Sequence, residues 1–136
     1  MRTKSIIMLA NIIKKNNEKA EAEYNAFESG LKEKYGELDS KKYTKEESEQ
    51  YSKLFREKNI YYRICCAFCN FELDKANMSV RNIIQINDIL EKEKNCAWKN
   101  YVLLRKTDDA MRAFKEYEEI AQTYEEFNDF TWNRKK

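Results

Sequence analysis

Residues 6–31, IIMLANIIKKNNEKAEAEYNAFESGL, decide the class of this fold. One set of side chains, mostly apolar or small, recurs at alternating intervals of four and three residues, which places the set on one face of an α-helix. Polar residues occupy most of the other positions, so the segment predicts a helix over about residues 5–35 that ends at Gly36. The recurring positions are Ile6, Ala10, Ile13, Asn17, Ala20, Tyr24, Phe27 and Leu31.

The same helical spacing continues beyond a polar connection at residues 37–44. Thr44 and Glu47 have the pattern of a capping box, which predicts a second helix from about residue 45 to 76. Further periodic segments predict helices over about 80–106 and 108–128, followed by a frayed tail at about 130–136. The sequence therefore predicts an all-α fold with a single domain over residues 1–136. We expect a bundle of three long or four shorter helices, mainly antiparallel, with coiled-coil-like packing.

The composition agrees with a helical fold and excludes several chemistries. The 136 residues include no Pro, only two isolated Gly and no His. The scarcity of turn-forming residues argues against an all-β fold, and isolated glycines cannot form a phosphate-binding loop. Because His is absent, the chain lacks the commonest general base and the commonest metal ligand. We therefore expect a protein that is not an enzyme and that needs no cofactor or metal.

Three of the four cysteines are clustered at Cys65, Cys66 and Cys69, and the fourth is Cys96. Zinc sites usually combine two Cys-x-x-Cys pairs or add histidines, whereas this chain has one such pair in the middle of a predicted helix. We interpret the clustered cysteines as small core residues and expect a reducing, cytoplasmic compartment. No apolar run approaches the ~20 residues of a membrane-spanning helix, so we expect no membrane partner.

Acidic residues are concentrated near the C-terminus, where residues 107–136 contain eight acids and five bases. Two acidic pairs there have the spacing found in all-α nucleotide pyrophosphohydrolases, but both fall on one predicted helix and lie too far apart to hold one ion. The segment therefore predicts an acidic surface that docks on a protein partner. The predicted protein-binding residues are Glu118, Glu119, Glu125, Glu126, Asp129 and Trp132.

A basic stripe gives an alternative function. Residues 80–106 contain six bases and three acids, and Lys92, Lys99 and Lys106 recur every seven residues close to Trp98. Lysines beside an aromatic side chain are typical of nucleic-acid contacts, although a net charge of +2 is low for a domain of that kind. A second alternative is a self-assembling coiled-coil module, a homo-oligomer in which Asn17 would fix the register.

The leading hypothesis is a small, non-catalytic helical interaction protein that docks on another protein to block or scaffold it. The chain is short, uses Lys, Asn and Ile freely and contains no catalytic motif. In this general style it is similar to accessory proteins of phages and other mobile elements, including inhibitors of host defence. That similarity depends on no particular residue, and it implies a regulatory or inhibitory role.

Overall fold

A computed structural model describes residues 1–69 and 80–132, with the side chains of Ala67, Cys69 and Trp132 excepted. Helices account for 87% of the described residues, and no strand occurs among them, which confirms the all-α prediction. The predicted end of the second helix near residue 76 and the predicted break at residues 77–79 lie outside the described residues. The described helices are α1 (Thr3–Tyr35), α2 (Lys45–Cys69), α3 (Val80–Leu104) and α4 (Ala110–Trp132).

The connection between α1 and α2 follows the signals in the sequence. Gly36 has a φ of 76°, the left-handed conformation that commonly follows the last turn of a helix. The Glu47 amide donates a hydrogen bond to Thr44 Oγ1 at 3.1 Å, and the Thr44 amide donates to Glu47 Oε1 at 2.9 Å. This reciprocal pair is the predicted capping box, and it satisfies two backbone donors at the start of α2.

The connection between α3 and α4 is a short turn built on Thr107. Its amide and its hydroxyl both donate to the Leu104 carbonyl, at 2.9 and 2.7 Å. The Asp109 amide donates in turn to Thr107 Oγ1 at 3.2 Å. Thr107 therefore follows the end of α3 and precedes the start of α4. Periodicity predicts that the first helix ends at about residue 106 and the next begins at about residue 108, whereas the observed helices end at Leu104 and begin at Ala110. At its other end, α4 continues past the predicted residue 128 to Trp132.

The described chain divides into two compact units, Met1–Ile13 with Phe71–Lys136 and Lys14–Asn70. The first turns of α1 belong to the first unit, and the rest of α1 belongs to the second unit with α2. The single domain expected over residues 1–136 stays a prediction.

In the first unit, α3 and α4 pack antiparallel. The ammonium of Lys94 lies 4.3 Å from the centre of the Tyr124 ring, and Tyr101 contacts Phe114 near the turn. Later residues of α3 therefore contact earlier residues of α4, as in any antiparallel pair of helices. The apolar core of this unit consists of the buried side chains Leu9, Ile12, Ile13, Ile83, Ile86, Ile89, Leu90, Ala113 and Phe127.

In the second unit, α1 and α2 also pack antiparallel, since Tyr35 contacts Glu47 while Tyr24 contacts Phe55. The α1 stripe quoted above has residues in both units, and all eight of its positions are buried or half-buried, which confirms the helix face predicted from their spacing. The buried apolar side chains of this unit are Ala20, Leu31, Leu54, Ile64 and Phe68.

None of the helices in the described ranges is both long enough and apolar enough to cross a membrane.

Candidate protein-binding surface

The predicted acidic residues of α4 occupy two different faces of the helix. Glu118 and Glu125 are exposed, and a seven-residue separation places them on one side of α4. Glu119 and Glu126 each follow one residue later, which rotates them by about 100°. That rotation turns Glu119 and Glu126 towards the N-terminal turns of α1, where both are half-buried.

Glu119 and Glu126 anchor α1 on α4. Arg2 Nε donates to Glu126 Oε1 at 3.0 Å, the Arg2 amide donates to the same oxygen at 3.3 Å, and the buried Ser5 hydroxyl donates to the other oxygen. Lys4 Nζ donates to Glu119 Oε1 at 2.8 Å. The structure thus places these two carboxylates in contacts inside the first unit, and we assign them no part in a partner surface.

The ionisation of both carboxylates reflects these contacts. Burial raises the pKa of Glu126, but the hydrogen bonds from Ser5 and Arg2 together outweigh it, so the pKa lies below its usual value. The hydrogen bond from Lys4 lowers the pKa of Glu119 in the same direction. Both groups are therefore held in the charged form that attracts the basic start of α1.

The other predicted residues have varied positions. Asp129 is exposed on α4, and the side chain of Trp132 lies outside the described residues. Lys92 and Lys99 are exposed on one side of α3. Lys106 is also exposed, but it follows the end of α3 and lies in the turn, so the helical spacing of the three lysines does not extend to it.

Trp98 belongs to an aromatic cluster that joins α3 to α4. Its ring centre lies 5.1 Å from that of Tyr117 and 5.5 Å from that of Tyr101, and Tyr101 lies 5.1 Å from Phe114. The rings are tilted against one another, an arrangement that aromatic pairs favour. The cluster is packed on its inner side only, because Trp98 and Phe114 are both exposed by more than a third.

Further apolar side chains extend this surface to the turn. Leu103 is 80% exposed and Met111 is 86% exposed, and Val102, which precedes Leu103 in the sequence, is 38% exposed. Met111 and Phe114, with Tyr101, line a groove of about 540 Å³. We call the exposed set Trp98, Val102, Leu103, Met111 and Phe114 the apolar tip of the α3–α4 hairpin.

Charged side chains of both signs flank the apolar tip, and Arg112 and Lys115 of α4 line its groove. Lys92 and Lys99 are on the α3 side, and Glu118 and Glu125 are on the α4 side. Within the described part of the chain, none of these four side chains takes part in an ion pair. Charged groups without partners beside an exposed apolar surface are typical of the rim of a protein interface.

A second groove, of about 480 Å³, lies in the other unit between Tyr24, Tyr51 and Phe55. The two tyrosines that line it already have partners within the unit. Tyr51 donates to Glu28 Oε2 at 2.6 Å, which lowers the pKa of Glu28 and raises that of Tyr51, and Lys58 lies 4.4 Å from the centre of the Tyr24 ring. These contacts stabilise the packing of α1 on α2, and they leave the apolar tip as the better candidate for a binding surface.

The three cysteines whose side chains the structure describes are free thiols. Cys65 and Cys66 are half-buried on α2, and Cys96 is exposed on α3. In residues 1–69 and 80–132, no group of three or more Cys, Asp or Glu side chains has the geometry of a metal site.

No protein-family model matches this chain, and no characterised protein or solved structure matches it either. Its function must therefore be inferred from the surface chemistry of the chain itself.

Proposed function

We propose that this chain is a small, non-catalytic interaction protein that binds a protein partner through the apolar tip and its charged flanks, and so blocks or scaffolds that partner. One observation carries the proposal: among the residues that the structure describes, Leu103 and Met111 are the two most exposed large apolar side chains, and both lie at the same end of one helical hairpin. Two such side chains beside exposed aromatic rings form a patch rather than scattered single residues.

The energetics favour burial of this patch in a complex. Removing one Leu or Met side chain from water contributes roughly 1.5–3 kcal/mol. Exposed Trp98 and Phe114 would add aromatic contact area, and aromatic residues and Met are enriched at the centres of protein interfaces. The flanking lysines and glutamates would orient the partner and exclude partners with the wrong charge pattern.

The mixed charge favours a protein partner over a nucleic acid. Lys92 and Lys99 are exposed as nucleic-acid binding requires, but Glu118 and Glu125 flank the same apolar tip and would repel phosphates. The apolar tip also exposes Leu103 and Met111, which offer little to a phosphate backbone. Binding of nucleic acid through Lys92, Lys99, Lys106 and Trp98 stays an alternative prediction, as does a role as an accessory protein of a mobile element.

Quantitative affinity capture from host cells tests the proposal. The tagged full chain is compared with a variant that carries Leu103→Ser and Met111→Ser, and with a control that carries Ile7→Ser and Leu38→Ser at exposed apolar positions elsewhere. We expect the tip variant to lose a defined set of proteins that the wild type and the control both retain. Equal capture by all three folded proteins, with folding checked by circular dichroism, would refute the proposal.

A further inference from the structure

The antiparallel pairing of α3 and α4 determines which charged residues of the two helices lie at the same level along the helix axis. Trp98 contacts Tyr117, and Lys94 contacts Tyr124. By this register, Lys99 lies level with Glu118 to within two residues, or about 3 Å along the helix axis. Lys92 precedes Lys99 by seven residues and Glu125 follows Glu118 by seven, so the second lysine is level with the second glutamate in the same way.

Lysine and glutamate at equal levels are a self-complementary arrangement. A rotation of 180° about an axis that lies parallel to the helices, above the apolar tip, places α3 of one copy over α4 of another at an unchanged level. Lys99 then faces Glu118 of the second copy, and Lys92 faces Glu125 of the second copy. The same rotation places the two apolar tips against each other, as an isologous interface requires.

We propose that the partner of the apolar tip is a second copy of this chain, bound about that two-fold axis so that each α3 lies on α4 of the other copy. This inference rests on the proposed function and names the partner. The dimer contains four lysine–glutamate pairs around a core formed by Leu103 and Met111 from both copies.

The charge pattern selects this geometry over the other face-to-face dimer. A two-fold axis perpendicular to the helices would place α3 on α3, with lysine facing lysine, and α4 on α4, with glutamate facing glutamate. Like charges placed opposite one another disfavour that pairing. Two acids of α3, Asp88 and Glu91, lie beyond Lys92 on the side away from the turn, and Arg112 and Lys115 of α4 lie nearer the turn than Glu118. The complementary strip is therefore confined to the levels between Lys92 and Lys99.

Sedimentation equilibrium of the full chain tests the dimer with charge-reversed variants. The first variant carries Lys92→Glu with Lys99→Glu, the second carries Glu118→Lys with Glu125→Lys, and the third carries all four changes. We expect the wild type to have twice the 16.4 kDa mass of one chain. The dissociation constant of each two-site variant should be at least about tenfold higher than that of the wild type, because every lysine–glutamate pair becomes a pair of like charges. The four-site variant should regain wild-type association, because every pair is restored with its signs exchanged while the net charge is unchanged.

Matched controls carry the same kinds of reversal on the exposed surface of α1, namely Lys14→Glu with Lys19→Glu and Glu18→Lys with Glu21→Lys. These should associate as the wild type does. If the wild type stays monomeric up to ~100 µM, the two copies bind each other too weakly for the proposed dimer, and the proposal is overturned. A four-site variant that stays as weak as the two-site variants would overturn it as well. If the wild type is monomeric and the Leu103→Ser, Met111→Ser variant still loses captured proteins, the proposed function stands and only the second copy is excluded as its partner.

Discussion

We expect the hydrogen bond from Ser5 to Glu126 to be one of the most stabilising polar interactions in the first unit. Glu126→Ala removes the acceptor of three hydrogen bonds, two from Arg2 and one from Ser5. The Arg2 side chain is 45% exposed, so water compensates for most of the lost interaction between Arg2 and Glu126. We assign the loss of that interaction only about 0–1 kcal/mol. Ser5 is buried, and losing a charge-assisted hydrogen bond there costs about 1.5–3 kcal/mol. The expected total is about 1.5–4 kcal/mol.

Chemical denaturation of four proteins measures this interaction as a double-mutant cycle: the wild type, Ser5→Ala, Glu126→Ala and the combination. We expect Ser5→Ala alone to cost about 1 kcal/mol, because Arg2 still neutralises the carboxylate, and the coupling between the two sites to be about 1–2 kcal/mol. Glu116→Ala, a change to another exposed acid of α4, is the control and should stay within about 0.5 kcal/mol of the wild type. A coupling near zero would refute the assignment of Glu126 as an anchor of α1.

The pH dependence of the same cycle follows from the lowered pKa of Glu126. A carboxyl group whose folded pKa lies below its unfolded value contributes stability that is fully present above the unfolded pKa. That stability is lost as the pH falls through the folded pKa. The cost of Glu126→Ala should therefore shrink in acid, and a cost that grows as the pH falls would contradict the contact.

Three further predictions concern the core and the start of α2. Phe127 is completely buried, so Phe127→Ala should cost about 3–5 kcal/mol in urea unfolding, and a loss below about 1 kcal/mol would show that the site is not a packed core position. Thr44→Ala should lower stability by about 1 kcal/mol through loss of the cap, whereas Thr44→Ser should be nearly neutral. The hydrogen bond from the Thr44 amide, with those from Tyr35 and Lys34, lowers the pKa of Glu47 to about 2. The stabilising effect of the ionised Glu47 carboxylate should be complete above the unfolded pKa near 4.5 and be lost between there and pH 2. Glu47→Gln should therefore flatten the dependence of stability on pH over that range. An unchanged dependence would contradict this.

Much of the fold could be predicted because the signals are local. The stripe of α1, the glycine at position 36 and the Thr44–Glu47 capping box depend only on residues within a few positions of one another. The end of α3 and the two ends of α4 differ from the prediction by two to four residues. Periodicity cannot detect that the Thr107 hydroxyl bonds back to the Leu104 carbonyl and so ends one helix while it opens the next.

The candidate surface was only partly predictable, for a different reason. The sequence identified the acids of α4 as one group, but their division depends on partners more than a hundred positions away, Arg2 with Glu126 and Lys4 with Glu119. The bases at positions 2 and 4, followed by a serine that the fold buries, were the only local sign of that contact. Leu103 and Met111 were likewise not singled out, because an apolar residue near a turn can be buried or exposed at the same periodicity.

Site-specific photo-crosslinking in host cells tests most directly the central claim that the apolar tip is a binding surface. A photoreactive amino acid is placed at position 103 or 111, and in separate proteins at the control positions 7 and 38, which are also exposed apolar sites. We expect light to produce a discrete crosslinked protein species from positions 103 and 111 and none from the controls. Absence of such a species from both tip positions, or the same species from all four positions, would contradict the claim.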